Sequence, residues 1–220
     1  MKNILAAVLI AALATPAIAD LTIIQKIDQE GESAGETVVT LKVKEGKIRM
    51  DTGPKVSAIV DTKSGDILTL MHERKMVMTI PDALEKARQQ ASQLQASGGE
   101  SQPAVPKATG RKETIKGFLC EEYETTVNGS KVSIWLTKDL PEAEKLMKQL
   151  AVLSPETNFY KGMEDHPDVS GFPMRTVLVG PDGKTVSITV VGLSEDPLPE
   201  AEFSVPSGYK VMQMPTMPGQ

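Results

Sequence analysis

Cysteine, histidine and aromatic residues are scarce in this chain. Its 220 residues include one Cys and two His, and aromatic residues make up 4%. A single Cys excludes an internal disulfide, and two His exclude a metal site built from three imidazoles. The core must therefore be built mainly from Val, Ile, Leu and Met.

An excess of positive charge is also missing. The chain has 24 Lys and Arg against 29 Asp and Glu, which gives a net charge of −5. Proteins that bind nucleic acids present a basic surface to the phosphates, so we expect no nucleic-acid partner. The 40% hydrophobic content is typical of a folded chain and argues against disorder.

The longest uncharged apolar run lies at the amino end. It covers 4–14, which is 11 residues, and follows Lys2. A membrane-spanning helix needs about 20 apolar residues. Small residues at Ala17 and Ala19 suit a signal peptidase. The pattern predicts a cleaved signal peptide over 1–19, cut after Ala19, a periplasmic location and no transmembrane anchor in the mature chain.

The periplasm is oxidising, yet Cys120 has no partner within the chain. It follows the apolar pair Phe118 and Leu119, and a free Cys packs as a small hydrophobic residue. We expect burial, with a disulfide to another chain as the alternative.

Alternating apolar residues predict six short antiparallel strands over 21–80, separated by turns that contain Gly. Residues 82–96 have helical spacing, with Asp82 as a candidate cap. Residues 95–110 are rich in Ser, Gly, Pro and Ala and predict a flexible linker inside a single domain, 20–220.

Strand patterns return after the linker. An Asn128-Gly129 turn precedes alternation at Val132 and Ile134. A second helix is expected after Asp139, followed by a hairpin around 181–183 and an edge strand at 203–206. The fold class is mainly β (α+β): a curved antiparallel sheet, or unclosed half-barrel, with two covering helices.

Motifs for catalysis are absent: the sequence has no nucleophile elbow, phosphate loop, Cys-x-x-Cys or His-Glu-x-x-His. We therefore expect no enzyme activity and no cofactor. Methionine is more unusual, because Met71, Met76 and Met78 cluster in one region and further residues cluster at the tail. Thioethers favour Cu(I), so an alternative function is a copper-binding protein using the tail residues Met212, Met214 and Met217.

The order of motifs resembles the LolA/LolB-like periplasmic lipoprotein carriers and an uncharacterised periplasmic domain family that shares their fold. The first half carries this resemblance in 47–51, 59–61, 65–70 and 75–80. In the second half it rests on Ile115-x-Gly117-x-x-Cys120-x-x-Tyr123, on 133–137, on 171–174 and on 203–209.

The resemblance implies a half-barrel with helices over its open face and an apolar interior that holds acyl chains. It also implies a strand arginine that keeps the lid closed, for which Arg49 is the candidate. Together with the alternating strands, it predicts a ligand-lining set of Leu41, Met50, Leu70, Met78, Ile134 and Trp135.

The sequence thus predicts a non-enzymatic periplasmic protein that binds a hydrophobic ligand, either a lipid or a lipidated partner. A scaffold or interaction subunit of the cell envelope is a further alternative.

Overall fold

The computed structural model describes residues 20–30, 35–96, 105–127, 129–140, 143–151 and 169–212. These residues form twelve strands, two α-helices and a short 3-10 helix. The strands are β1 Leu21–Gln29, β2 Gly35–Lys44, β3 Lys47–Thr52, β4 Val56–Asp61, β5 Ile67–Met71, β6 Met76–Ile80, β7 Lys107–Ile115, β8 Phe118–Val127, β9 Ser130–Thr137, β10 Phe172–Val179, β11 Thr185–Ser194 and β12 Lys210–Met212. The helices are α1 Ala83–Ala96, α2 Ala143–Leu150 and the 3-10 helix Glu200–Phe203.

All twelve strands belong to one sheet with the order β12-β6-β5-β4-β3-β2-β1-β11-β10-β9-β8-β7. Neighbouring strands are antiparallel, except that β12 runs parallel to β6. The described strands leave the sheet unclosed, with β7 at one edge and β12 at the other. This architecture confirms the predicted fold class.

Tight turns set the register of the hairpins. Glu45 and Gly46 both have positive φ, 46° and 86°, and connect β2 to β3. Lys116 and Gly117 repeat this geometry between β7 and β8, with φ of 51° and 87°. Two positive φ angles match the strand twist, which favours a two-residue hairpin. Gly supplies the second angle without steric cost.

One face of the sheet packs against the helices, and we call it the helix face. Cross-strand register places Leu41 beside Ile23 and Met50, and Val43 beside Ile48, all on this face. Its core also includes residues from both helices, Leu84 of α1 and Leu146 and Leu150 of α2. Burying one such aliphatic side chain stabilises the fold by about 1.5–3 kcal/mol.

The opposite face carries the 3-10 helix and Tyr209, and we call it the tail face. Ile59, Leu70 and Val77 form a separate small core here, against which Tyr209 packs. Phe203, in the 3-10 helix, is only 4% exposed. Both faces of β3 to β6 are therefore partly covered, one by helices and the other by the carboxy-terminal segment.

Two boundary predictions were wrong. The predicted edge strand at 203–206 begins with the last residue of the 3-10 helix, and the edge strand is β12 instead. Strand β7 begins at Lys107, inside the predicted linker. Residues 1–19 lie outside the described residues. No helix among the described residues is both long and apolar enough to cross a membrane.

Candidate functional site

The helix-face core borders an apolar cavity of about 410 Å³. Leu21 and Leu140 contribute buried side chains, while Phe118 and Leu193 are partly buried and pack against the same core. Its lining residues are Leu21, Lys116, Phe118, Leu140, Gly192, Leu193, Ser194 and Glu195. Ligand pockets in proteins are mostly apolar and measure about 300–1,000 Å³, so this cavity falls within their size range.

Curvature of the sheet creates this cavity. Leu193 is the penultimate residue of β11 and Phe118 begins β8, yet β10 and β9 lie between these strands in the sheet order. Both residues nevertheless line one cavity, which requires the sheet to curl. A bulge opposite Ile24 and Gln25 interrupts the pairing of β1 with β11 beside Leu193. Bulges bend strands and increase their twist, so this one favours the curl.

Charged groups stand at the rim of the cavity. Lys116 is exposed in the β7–β8 turn, and Glu195 is exposed just after β11. The positive φ of Lys116, 51°, fixes its backbone in the left-handed region. An apolar wall with a cation at its rim suits an amphiphile, because each part of such a ligand meets a matching environment.

The predicted lining residues divide into three groups in the structure. Leu41 and Ile134 are packed in the core with exposures of 7% and 0%, so they have no free surface for a ligand. Met50 and Met78 lie on the helix face and keep partial exposure. None of the six residues lines the 410 Å³ cavity.

Leu70 and Trp135 lie on the opposite face of the sheet from the other predicted lining residues, and the partly buried Trp135 still packs against the main core. Leu70 lies opposite Ser57 and Val77 on the tail face, where it belongs to the small core. Trp135 is on the opposite face from Ile134, and the guanidinium of Arg175 lies 5.5 Å from its ring centroid. The reason is the period of two: one step along a strand moves a side chain to the other face.

Five methionines lie on the helix face of β3, β5, β6 and β12, and we call them the methionine surface. Met71 is directly opposite Met76, and Met78 is directly opposite Met212. Met50 lies in the same cross-strand row as Met78 and Met212, and its exposure is 37%. Met214 and Met217, the other two residues of the predicted copper site, lie outside the described residues.

Arg49, the predicted lid contact, lies on the tail face, where it contacts the 3-10 helix and not α1 or α2. Its side chain is 13% exposed and lies on the tail face, because β3 alternates between Ile48 inward and Arg49 outward. Its Nε donates to Asp51 Oδ1 at 2.7 Å, and one terminal nitrogen donates to the Glu202 carbonyl at 2.7 Å. The other donates to Ser57 Oγ at 3.1 Å. Arg49 therefore anchors the 3-10 helix to the sheet.

A hydrogen-bonded chain of polar side chains continues from Arg49 and Asp51. Ser57 Oγ donates to Asp51 Oδ1 at 2.5 Å and lies 2.6 Å from His72 Nε2. His72 Nδ1 lies 2.6 Å from the Tyr209 hydroxyl. Serine next to histidine is also the geometry of a nucleophile and its base. Ser57 is only 1% exposed, however, so its hydroxyl is closed to a substrate in this structure. These hydrogen bonds instead attach Tyr209 to the sheet.

A buried carboxylate, Glu122, was not found by the sequence analysis. It is fully buried on β8, where Thr109 Oγ1 donates to it at 2.6 Å and Arg111 pairs with it. Strand β7 bulges between Ala108 and Lys112, which places Arg111 over Glu122. The sequence signal would have been Gly110, with its positive φ of 79° inside a strand.

Cys120 is buried, as predicted, and burial raises the pKa of its thiol. Across the described ranges, His, Cys, Asp and Glu form no group of three that could hold a metal ion. A metal in this part of the chain would need other ligands.

Comparison with solved structures finds several chains that are similar to this one. The chain is similar to a structure of the Pseudomonas aeruginosa MucA/MucB complex, with a TM-score of 0.50 and 10% identity over 89% of this chain and 58% of that chain. Another similar structure is a LolA superfamily protein from Nitrosomonas europaea, with a TM-score of 0.33 and 9% identity over 86% of this chain and 91% of that chain. The protein PNGF-II gives a TM-score of 0.43 and 11% identity over 90% of this chain, which spans 31% of PNGF-II.

Comparison of sequences gives the family. No curated protein sequence matches the chain significantly. The model of a domain of unknown function, DUF4412, matches residues 24–209. This match confirms the predicted resemblance to an uncharacterised domain family. Because it covers most of the chain, the protein belongs to the DUF4412 family.

Proposed function

We propose that the protein is a non-catalytic periplasmic binding protein that holds the acyl chain of a lipid or of a lipidated partner in the 410 Å³ cavity. The observation that carries this proposal is an apolar cavity next to the main core, with the Lys116 ammonium and the Glu195 carboxylate at its rim. A curled, unclosed sheet supports it, because such a sheet can hold an apolar chain without closing into a solid barrel. Export by a signal peptide over 1–19 is part of the proposal.

The cavity also suggests which end of the ligand is polar. Leu21, Phe118 and Leu193 would contact the hydrocarbon, and the Lys116 ammonium would meet an anionic head group. A pairing at an exposed rim adds only about 0.2–1 kcal/mol, so the apolar wall would supply most of the affinity. The similar MucA/MucB structure is a complex of two proteins, which supports a protein partner.

The direct test is a titration of the purified protein with palmitate, followed by displacement of a fluorescent acyl probe. Leu193→Trp places a large ring in the cavity and should weaken palmitate binding at least about 10-fold, or about 1.4 kcal/mol. Leu178→Trp is the matched control, because Leu178 lies on the same face, is 38% exposed and does not line the cavity. Equal affinities for both variants and the unmodified protein would refute the cavity as the site.

A second variant addresses the head group and does not disturb the core. Lys116→Asn removes the charge and keeps a residue type that tolerates positive φ. We expect it to weaken binding of palmitate about 2- to 5-fold and to leave binding of uncharged methyl palmitate unchanged. An equal effect on both ligands would show that Lys116 does not face the carboxylate.

A further inference from the structure

We propose that Met71, Met76, Met78 and Met212 form a binding site for one Cu(I) ion at the β12 edge of the helix face. The four residues occupy three neighbouring strands, and each is half-buried rather than packed into the core. This site is separate from the cavity, since none of the four residues lines it.

Strand pairing places the four side chains in two adjacent cross-strand rows on one face of the sheet. Met71 and Met76 are direct cross-strand partners, and so are Met78 and Met212. Cβ atoms of directly opposite antiparallel partners such as Met71 and Met76 are about 4.5–5.5 Å apart. Met78 and Met212 lie on the parallel pair β6 and β12, whose strands are about 4.8 Å apart. Met76 and Met78 are two residues apart on β6, which separates them by about 6.6 Å along one face. Methionine has three rotatable side-chain bonds, so its sulfur can move several ångströms toward a shared centre.

The ligand type selects the metal. Thioether sulfur is a soft, uncharged ligand that favours Cu(I) and has little affinity for Zn²⁺, Mg²⁺ or Ca²⁺. Among the described residues, Thr69 and Ala58 continue the row that contains Met78, and neither carries a carboxylate or an imidazole. Lys210 lies opposite Met76 and is exposed, so its charge opposes cation binding at that side.

The same methionines could serve only as apolar packing, and substitution by leucine separates the two roles. Leucine preserves volume and hydrophobicity, and such exchanges cost less than about 1.5 kcal/mol. It removes the sulfur, however. The Met76→Leu/Met78→Leu variant should therefore keep its fold and its palmitate affinity and lose Cu(I) binding.

The experiment measures Cu(I) affinity of the purified full chain by competition with bicinchoninate under anaerobic, reducing conditions. We expect one Cu(I) per chain and at least about a 10-fold loss of affinity in Met76→Leu/Met78→Leu. Met174→Leu is the matched control, because Met174 is fully buried and should not affect the ion. X-ray absorption at the copper edge should show sulfur neighbours.

Three outcomes would overturn the proposal. One is the absence of Cu(I) binding, and another is an unchanged affinity in Met76→Leu/Met78→Leu. The third is loss of binding only in Met214→Leu/Met217→Leu, which would place the site in the tail. Failure here would leave the acyl proposal intact, since Leu193→Trp tests that cavity independently.

Discussion

Removal of Arg49 should strongly destabilise the protein, because its side chain makes three hydrogen bonds in a largely buried place. The Arg49 and Asp51 side chains are 13% and 21% exposed, and their atoms are 2.7 Å apart. Breaking a buried ion pair by removing one partner costs about 3–5 kcal/mol. Both side chains keep some contact with water, so we expect Arg49→Ala to cost about 3 kcal/mol, near the lower end of that range.

The assay is urea unfolding followed by circular dichroism, with a double-mutant cycle through Asp51→Ala. A matched control is the pair of Lys55 and Glu73, which are 3.0 Å apart but 68% and 66% exposed. Exposed pairs contribute about 0–1 kcal/mol, so Lys55→Ala should have little effect.

The comparison of the two pairs can refute the reasoning. If Arg49→Ala cost no more than Lys55→Ala, Arg49 would not anchor the 3-10 helix. Proteolysis gives a second readout, because loss of the anchor should increase cleavage near Glu202 relative to the unmodified protein.

Three further predictions concern ionisable groups. Burial raises the pKa of Asp20, but hydrogen bonds from the Lys44 ammonium and the Leu198 amide together lower the pKa by more than burial raises it. The folded pKa therefore lies below its ordinary value of 3.8. Ionised Asp20 therefore stabilises the fold above pH 3.8, and this stabilisation is lost as the pH falls through the folded pKa. The Asp20→Asn variant should show a smaller decline in unfolding free energy between about pH 5 and about pH 3 than the unmodified protein. Burial raises the pKa of the Cys120 thiol, so iodoacetamide should label it only after denaturation, and rapid labelling of the native protein would contradict its burial. Arg111→Ala should cost about 3 kcal/mol in urea unfolding because it leaves the fully buried Glu122 carboxylate without its cation, and a loss below about 1 kcal/mol would refute this role.

The sequence was sufficient to predict the strands and the sheet type. Alternation at Val39, Leu41 and Val43 translates directly into buried positions of β2, because a half-buried strand has one apolar face. Glycine turns such as Glu45-Gly46 set the strand ends for a similarly local reason. The strands and turns could therefore be predicted because they depend on residues that are close together in the sequence.

The face of each apolar residue was harder to predict. Leu70 is apolar and on a strand, yet it packs under Tyr209, which lies 139 residues later in the sequence (209 − 70). Nothing in the sequence near Leu70 indicates that the tail returns to cover it. The contact of Arg49 with Glu202 was not visible in the sequence for the same reason, since Glu202 lies 153 residues later.

The cavity could not be predicted because it depends on curvature. Leu21, Phe118 and Leu193 come from three distant parts of the chain and meet only because the sheet curls. The bulge in β1–β11 pairing has a local signal, Gly192 inside β11, but that glycine does not indicate which distant residues the curl brings together. The methionine surface was partly visible, since Met76 and Met78 alternate on one strand, whereas their approach to Met212 required the parallel pairing of β12 with β6.

Native mass spectrometry of the protein purified from its host cells, followed by solvent extraction, tests the central proposal most directly. We predict a co-purifying acyl-bearing species at one per chain, which Leu193→Trp loses and Leu178→Trp retains. A bare mass for the unmodified protein, together with no palmitate binding after purification, would contradict the proposal that the cavity holds an acyl chain.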